Sequence, residues 1–178
     1  MKAIGLLTEE HRIIEQMIEA MRAEVGHISS IGQIDPLFID GAVDFIENYA
    51  QATHHAKEEG ILFHKLSEKT MSISDTEVMQ QLIDEHARAR KAASDLLAAN
   101  TDYRAGDIAV AGKVQGLLTE FITFYPPHMQ KEEREFFVAC GNYLTRKEDD
   151  QIFSEFLEFD RRLIHEHYRR VAGDLTRT

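Results

Sequence analysis

This chain is short of cysteine, proline and tryptophan: it has one, three and none in 178 residues. A single cysteine, Cys140, excludes an internal disulfide and fits a reducing compartment, so the protein is expected to be cytoplasmic. Few prolines, set against many Glu, Ala, Leu, Ile and Met, favour helix over sheet. No apolar run is long enough to span a bilayer, and Met1–Leu7 carries no signal-peptide pattern. Bases are also scarce, 20 against 31 acids, and the net charge of −11 disfavours nucleic acids and anionic membrane surfaces as partners. A phosphate-binding glycine loop, a Cys-x-x-Cys site, a His-Glu-x-x-His helix and a Ser–His–Asp arrangement are all missing, which leaves hydrolase and nucleotide-binding readings without support.

What the chain does have is helical periodicity. Apolar residues at Ile4, Leu7, Ile14, Met17, Ile18 and Met21 form one stripe that also carries His11, and Gly26 and the Ser29-Ser30-Ile31-Gly32 stretch are expected to end the segment. A second helix is predicted from Asp35-Pro36 to about Glu68, with Asp35 as its cap. A third, capped at Ser74 or Asp75, ends before a loop at Asn100 to Asp107, and a fourth runs from Ile108 to about Cys140. A fifth spans Lys147 to Val171. Short connections predict an all-α, up-down-up-down four-helix bundle over residues 1–145, with 146–178 as a C-terminal helix packed on it. Tyr125-Pro126-Pro127 should kink or restart the fourth helix.

A motif occurs twice. His54-His55-Ala56-Lys57-Glu58-Glu59 in the second helix returns as His128-Met129-Gln130-Lys131-Glu132-Glu133 in the fourth. Each copy sets an imidazole four residues before a carboxylate, which on a helix places both on one face, within reach of one metal ion. His11 and His86 supply one imidazole from each of the other two helices, and the four histidines lie roughly 30 to 45 residues apart, one bundle helix and its connection. The set His11, His54, Glu58, His86, His128 and Glu132 suits Fe, Mn or Zn, and its size fits two ions with carboxylates able to bridge. The alternative Glu-x-x-His arrangement of bundle di-iron sites occurs only at Glu24 and His27, at a helix end. His55 and Glu59 have the same spacing as His54 and Glu58 but are turned by about 100°. Aligning the two Lys-Glu-Glu triplets matches His54 to His128, so His54 and Glu58 are the preferred pair. His55 and Glu59 are then expected beside the ligands or at the surface.

With Glu9-Glu10-His11, the two His–Glu motifs and Asp84-Glu85-His86 in this order, the chain from about Leu7 to Cys140 resembles the hemerythrin-like, or HHE cation-binding, family. The resemblance implies two iron ions, carboxylate-bridged and oxo- or hydroxo-bridged, held by His11, His54, Glu58, His86, His128 and Glu132. It also implies a small diatomic ligand, oxygen or nitric oxide, bound for sensing, storage or detoxification. Two departures matter. His64 stands where relatives commonly have proline after the Leu-Phe pair, and Arg90 stands where oxygen-carrying hemerythrins of the blood-pigment type have a further histidine. Rival expectations are a di-iron enzyme reacting with peroxide or nitric oxide, with Tyr49, Tyr125 or His55 as proton donor, and an iron-responsive regulatory or structural bundle acting through a protein partner. Phe121, Phe124 and Tyr125 are expected to form an apolar wall. His27 is expected at the surface, and His167 at a solvent-facing helix end, with a turn into the bundle as its alternative.

Overall fold

The computed structural model describes the backbone of residues 1–175, and the side chains of these except 164 and 166–175. Among them there is no strand; the chain is helical, and no helix is long and apolar enough to cross a membrane. Five helices carry the structure. They are α1 (Lys2–Ile31), α2 (36–67), α3 (Ile73–Arg104), α4 (111–140) and α5 (Arg146–Leu175).

Local chemistry accounts for most boundaries. Gly32 adopts φ 68° and donates its N–H to the Ile28 carbonyl, ending α1 with a left-handed cap. The Asp35 carboxylate accepts from the N–H groups of Leu37 and Phe38, with Pro36 opening α2. The third helix is capped by Ser72, not by Ser74 or Asp75; its hydroxyl accepts from the Asp75 N–H at 3.1 Å. That helix also extends through Asn100, which was expected in a loop. The Asn100 amide is buried and donates to the Pro36 carbonyl and to Asp40, so a polar residue ties two helices together inside a helical turn. Thr145 and Glu148 form a reciprocal capping box at the start of α5.

The two prolines neither break nor restart α4. Pro126 and Pro127 lie inside the helical segment Ala111–Lys131. Directly after them the turns widen into a π-helical stretch, Glu132–Phe136, before Phe137–Cys140 closes the element. The second helix is irregular in the same way: Pro36–Asp44 leads into π-helical turns at Phe45–His55 and Glu58–Phe63, then His64–Ser67. The irregular turns of α2 hold both His54 and Glu58, and those of α4 begin at Glu132, in keeping with the frequency of π-bulges at functional sites.

Two apolar clusters make the core. One holds Ile14, Ile18, Ala50, Ala89, Leu118 and Tyr125 among others; the second holds Leu7, Leu62, Leu82, Phe136 and Phe156. Successive helices meet them in opposite order, Leu7 before Ile14 on α1 and Ala50 before Leu62 on α2. Between the clusters lies a polar layer that includes all six expected ligands. The fifth helix packs against α1 and the second half of α2. Its Asp149 accepts from the N–H groups of Lys2 and Ala3 at 2.8 and 3.0 Å, giving α1 the cap its own N-terminus lacks. Phe156 and Ile152 complete the second cluster, so Phe156→Ala is expected to lower unfolding stability by about 3–5 kcal/mol, read from the denaturant midpoint.

Candidate metal centre

The polar layer is dry. His11, His54, His55, Glu58, His86, His128 and Glu132 are each no more than 2% exposed. Their donor atoms fall into two adjoining groups, each with all atoms within 4.8 Å of one another: His11, His54, Glu58 and Glu132 in one, and His55, His86 and His128 in the other. The carboxylates span both. Glu58 sets one oxygen 3.6 Å from Nε2 of His54 and the other 3.5 Å from Nε2 of His86. Glu132 sets one oxygen 3.2 Å from Nε2 of His11 and the other 3.3 Å from Nε2 of His128.

The structure brings together all six residues singled out from the sequence and adds a seventh. His55 is buried in the second group, its ring stacked on His86 at 3.8 Å between centroids. The expectation that His55 would lie outside the ligand set assumed one centre and regular α-helical rotation. Two half-sites change that, because neighbouring imidazoles that diverge can serve one half each. The widened π-helical turns around His54 and His55 reduce the rotation between adjacent residues as well. The helical segments assigned at Phe45–His55 and Glu58–Phe63 were the missing signal, and nothing in residue spacing discloses them. Arg90 is exposed and pairs with Glu59 at 2.9 Å, so a third imidazole in the His86 half comes from α2 and not from the next turn of α3.

Each of four imidazoles is oriented by a carboxylate on its Nδ1. His11 bonds Glu133 at 2.9 Å, His54 bonds Glu10 at 2.9 Å, His86 bonds Glu59 at 2.8 Å and His128 bonds Glu85 at 2.7 Å. With Nδ1–H donated outward, every Nε2 lone pair faces the centre, the arrangement that second-shell carboxylates impose on metal-binding histidines. The pattern is an internal two-fold. Glu10-His11 answers Glu85-His86, and His54, Lys57, Glu58 and Glu59 answer His128, Lys131, Glu132 and Glu133. His55 has Met129 as its counterpart and breaks the repeat.

Buried polar atoms here lack partners. Both oxygens of Glu58 and of Glu132, Nε2 of His86 and of His128, and both ring nitrogens of His55 make no hydrogen bond. Such a concentration of orphaned acceptors is costly unless a cation sits among them. The electrostatics agree. Burial and the neighbouring Glu132 push Glu58 well above the usual carboxylate range. Burial also opposes ionisation of Glu132, but the imidazoles of His128, His11 and His86 outweigh it and hold Glu132 well below that range. Burial lowers His54 to about 4 against the pull of Glu10, and takes His55 far down, reinforced by His86. Burial would lower His11 and His86 too, but facing glutamates reverse the direction and raise both. The residues therefore fit a divalent or trivalent cation pair, which would replace the missing hydrogen-bond donors and ionise Glu58.

The hemerythrin HHE cation-binding domain family model matches residues 2–140. The chain belongs to that family. The match takes in the four helices that furnish the cluster and stops before α5, which makes this a hemerythrin-type cation-binding domain followed by a helix of its own. No curated protein and no solved structure matched the chain.

Other expectations resolve around the hemerythrin-type layer. Phe124 stacks near His128 at 5.2 Å and Tyr125 lies 6.3 Å from the rings of both His55 and His128, so the aromatic wall forms on that side. His27 and His64 are exposed. His165 is exposed, and His167 lies outside the described side chains.

Two outcomes follow. His55→Ala is expected to lower metal content per chain as far as His128→Ala does, measured by elemental analysis. Acid should also empty the site. His54 has a depressed folded-state value, so its stabilising contribution is complete above 6.5 and fades as pH falls toward about 4; His55 is depressed in the same direction. His11 and His86 shift the opposite way in the metal-free protein, yet in the loaded site their Nε2 atoms must also be free of protons. Metal retained after dialysis should therefore fall across the window from 6.5 to about 4.

Proposed function

We propose that this domain holds two iron ions and binds a small diatomic ligand, oxygen or nitric oxide, inside an up-down-up-down bundle in a reducing cytoplasm. The observation that carries this reading is the pair of buried carboxylates, Glu58 and Glu132, each facing both half-sites with one oxygen apiece. A single catalytic zinc has no use for seven protein donors, whereas two ions sharing bridging carboxylates use them all. His11 and His54 would hold one ion, and His55, His86 and His128 the other, with Glu58 and Glu132 shared between them. Iron so held would supply Lewis-acid and redox chemistry toward a small ligand.

The protein's own part is to hold, orient and shield. Carboxylates on Nδ1 fix each ring and raise its basicity. The half with His11, His54, Glu58 and Glu132 has two histidines where the other has three, and it is the less crowded by imidazoles. On the other side a surface cavity of about 300 Å³ reaches His128, lined by Phe124, Pro127, Glu85 and Lys131 among others. Pro127 at its wall connects the interrupted hydrogen bonding of α4 with a way in for small molecules. The apolar cluster flanking the layer excludes bulk water, which favours uncharged gases over hydrated anions.

Elemental analysis of protein loaded with ferrous iron should give about two irons per chain, and gas titration should shift its optical spectrum. Zinc at one per chain, or an unchanged spectrum with both gases, would sink the reading.

A second reading, turnover of peroxide or nitric oxide, is favoured by Tyr125. Its phenol is fully buried with no hydrogen-bond partner, and burial together with Glu132 keeps it protonated far above neutrality. A proton donor near His55 and His128 is what such a reaction needs. On this reading Tyr125→Phe keeps iron content and slows peroxide consumption by about 100-fold. An unchanged rate would leave ligand binding as the better account.

A further inference from the structure

Besides His55, the internal two-fold of the centre is broken where a helix outside the matched family region lies against it. Lys131 bonds Glu85, which holds His128. Its side chain remains 24% exposed, as a long cation at a protein surface should. Lys57 makes the equivalent bond to Glu10, which holds His54. Yet Lys57 is fully buried, because α5 lies over it. Asp160 on that helix accepts from its ammonium at 2.9 Å, and the Phe156 ring stands 5.8 Å from Nζ. A buried ammonium needs full pairing, and here half of the pairing comes from α5.

We propose that Asp160 and Lys57 are positioning residues for His54, acting through Glu10, so that iron occupancy of the centre and docking of α5 form one linked equilibrium. The inference rests on the iron reading above. Its physical basis is an unbroken chain of contacts, Asp160 to Lys57 to Glu10 to Nδ1 of His54, running from α5 through α2 and α1 into the donor set. With Asp160 in place, Lys57 is held between two carboxylates and Glu10 has one conformation in which to receive the imidazole proton. When α5 lifts, Lys57 meets water and Glu10 is released, leaving His54 free to turn. By reciprocity, an ion that fixes His54 fixes Glu10 and Lys57, and so tightens α5. The pseudo-equivalent Lys131 has no second carboxylate partner among the described residues, so the tie to α5 is confined to the Lys57 side.

The test uses the full chain, metal-free and loaded with ferrous iron, with iron content measured on the same samples. Hydrogen–deuterium exchange is followed in peptides covering 146–163, and iron release to a ferrous chelator is timed. In the unmodified protein, iron is expected to slow exchange there by about 5-fold or more. Asp160→Asn, which keeps side-chain shape, should abolish that difference and speed iron release by about 10-fold, with the initial iron stoichiometry kept. Asp150→Asn, which removes an exposed ion pair between α5 and α1, should preserve the exchange response. A purely structural Asp160 would loosen α5 equally with and without iron and leave release unchanged, and that result overturns the proposal. So does α5 exchange that ignores iron in a protein holding its full iron content. Failure of the unmodified chain to retain iron overturns the iron reading first, and this inference with it.

Discussion

Everything in this protein is arranged around seven ionisable side chains held between two apolar clusters. Leu7, Leu62, Leu82 and Phe136 close one side of the layer and Ile14, Ala50, Ala89 and Tyr125 the other, so water cannot solvate the charges. Burial and the facing Glu132 keep Glu58 from ionising in such a place, and burial resists protonation of His54 and His55. Bound metal cations would relieve this, so that metal binding is tied to stability as well as to chemistry.

Holding the imidazoles in register is the task of the surrounding glutamates. Glu10, Glu59, Glu85 and Glu133 each take one Nδ1 proton, and each sits beside a residue of the donor set in sequence. A compact dipeptide thus does two jobs, with one side chain facing the centre and its neighbour facing the adjacent helix. Glu10-His11 and Glu85-His86 supply ring and holder in one order, and Glu58-Glu59 and Glu132-Glu133 supply bridge and holder in the other. The fold reads as two copies of one helix pair facing each other. The unmatched His55 gives the two halves different donor sets.

The fifth helix adds a second asymmetry. It caps α1 through Asp149, fills the lower core with Ile152 and Phe156, and buries Lys57 with Asp160. The family match ends at residue 140, so these features are laid onto the hemerythrin scaffold from outside it. They leave the His128 side closer to solvent, where the cavity beside Pro127 and Phe124 opens, and seal the His54 side beneath a helix.

By itself the sequence determined that the protein is helical, which helices carry the donors, and six of the seven buried residues of the cluster. It could do so because helical periodicity is local, and because His-x-x-x-Glu and Glu-His are read directly from spacing. The cap at Asp35 was legible for the same reason, whereas the sequence left the end of α1 spread from Gly26 to Gly32. Only the tertiary structure decided that His55 enters the cluster, since this depends on π-helical widening and on there being two half-sites for neighbouring imidazoles to serve. It also decided that Pro126 and Pro127 stay inside a continuous helix, that Asn100 is a helical residue clamped to Asp40, and that Lys57 is buried while its counterpart Lys131 is not. Those outcomes turn on which element lies across which, and packing partners distant in the chain leave no mark on spacing along it.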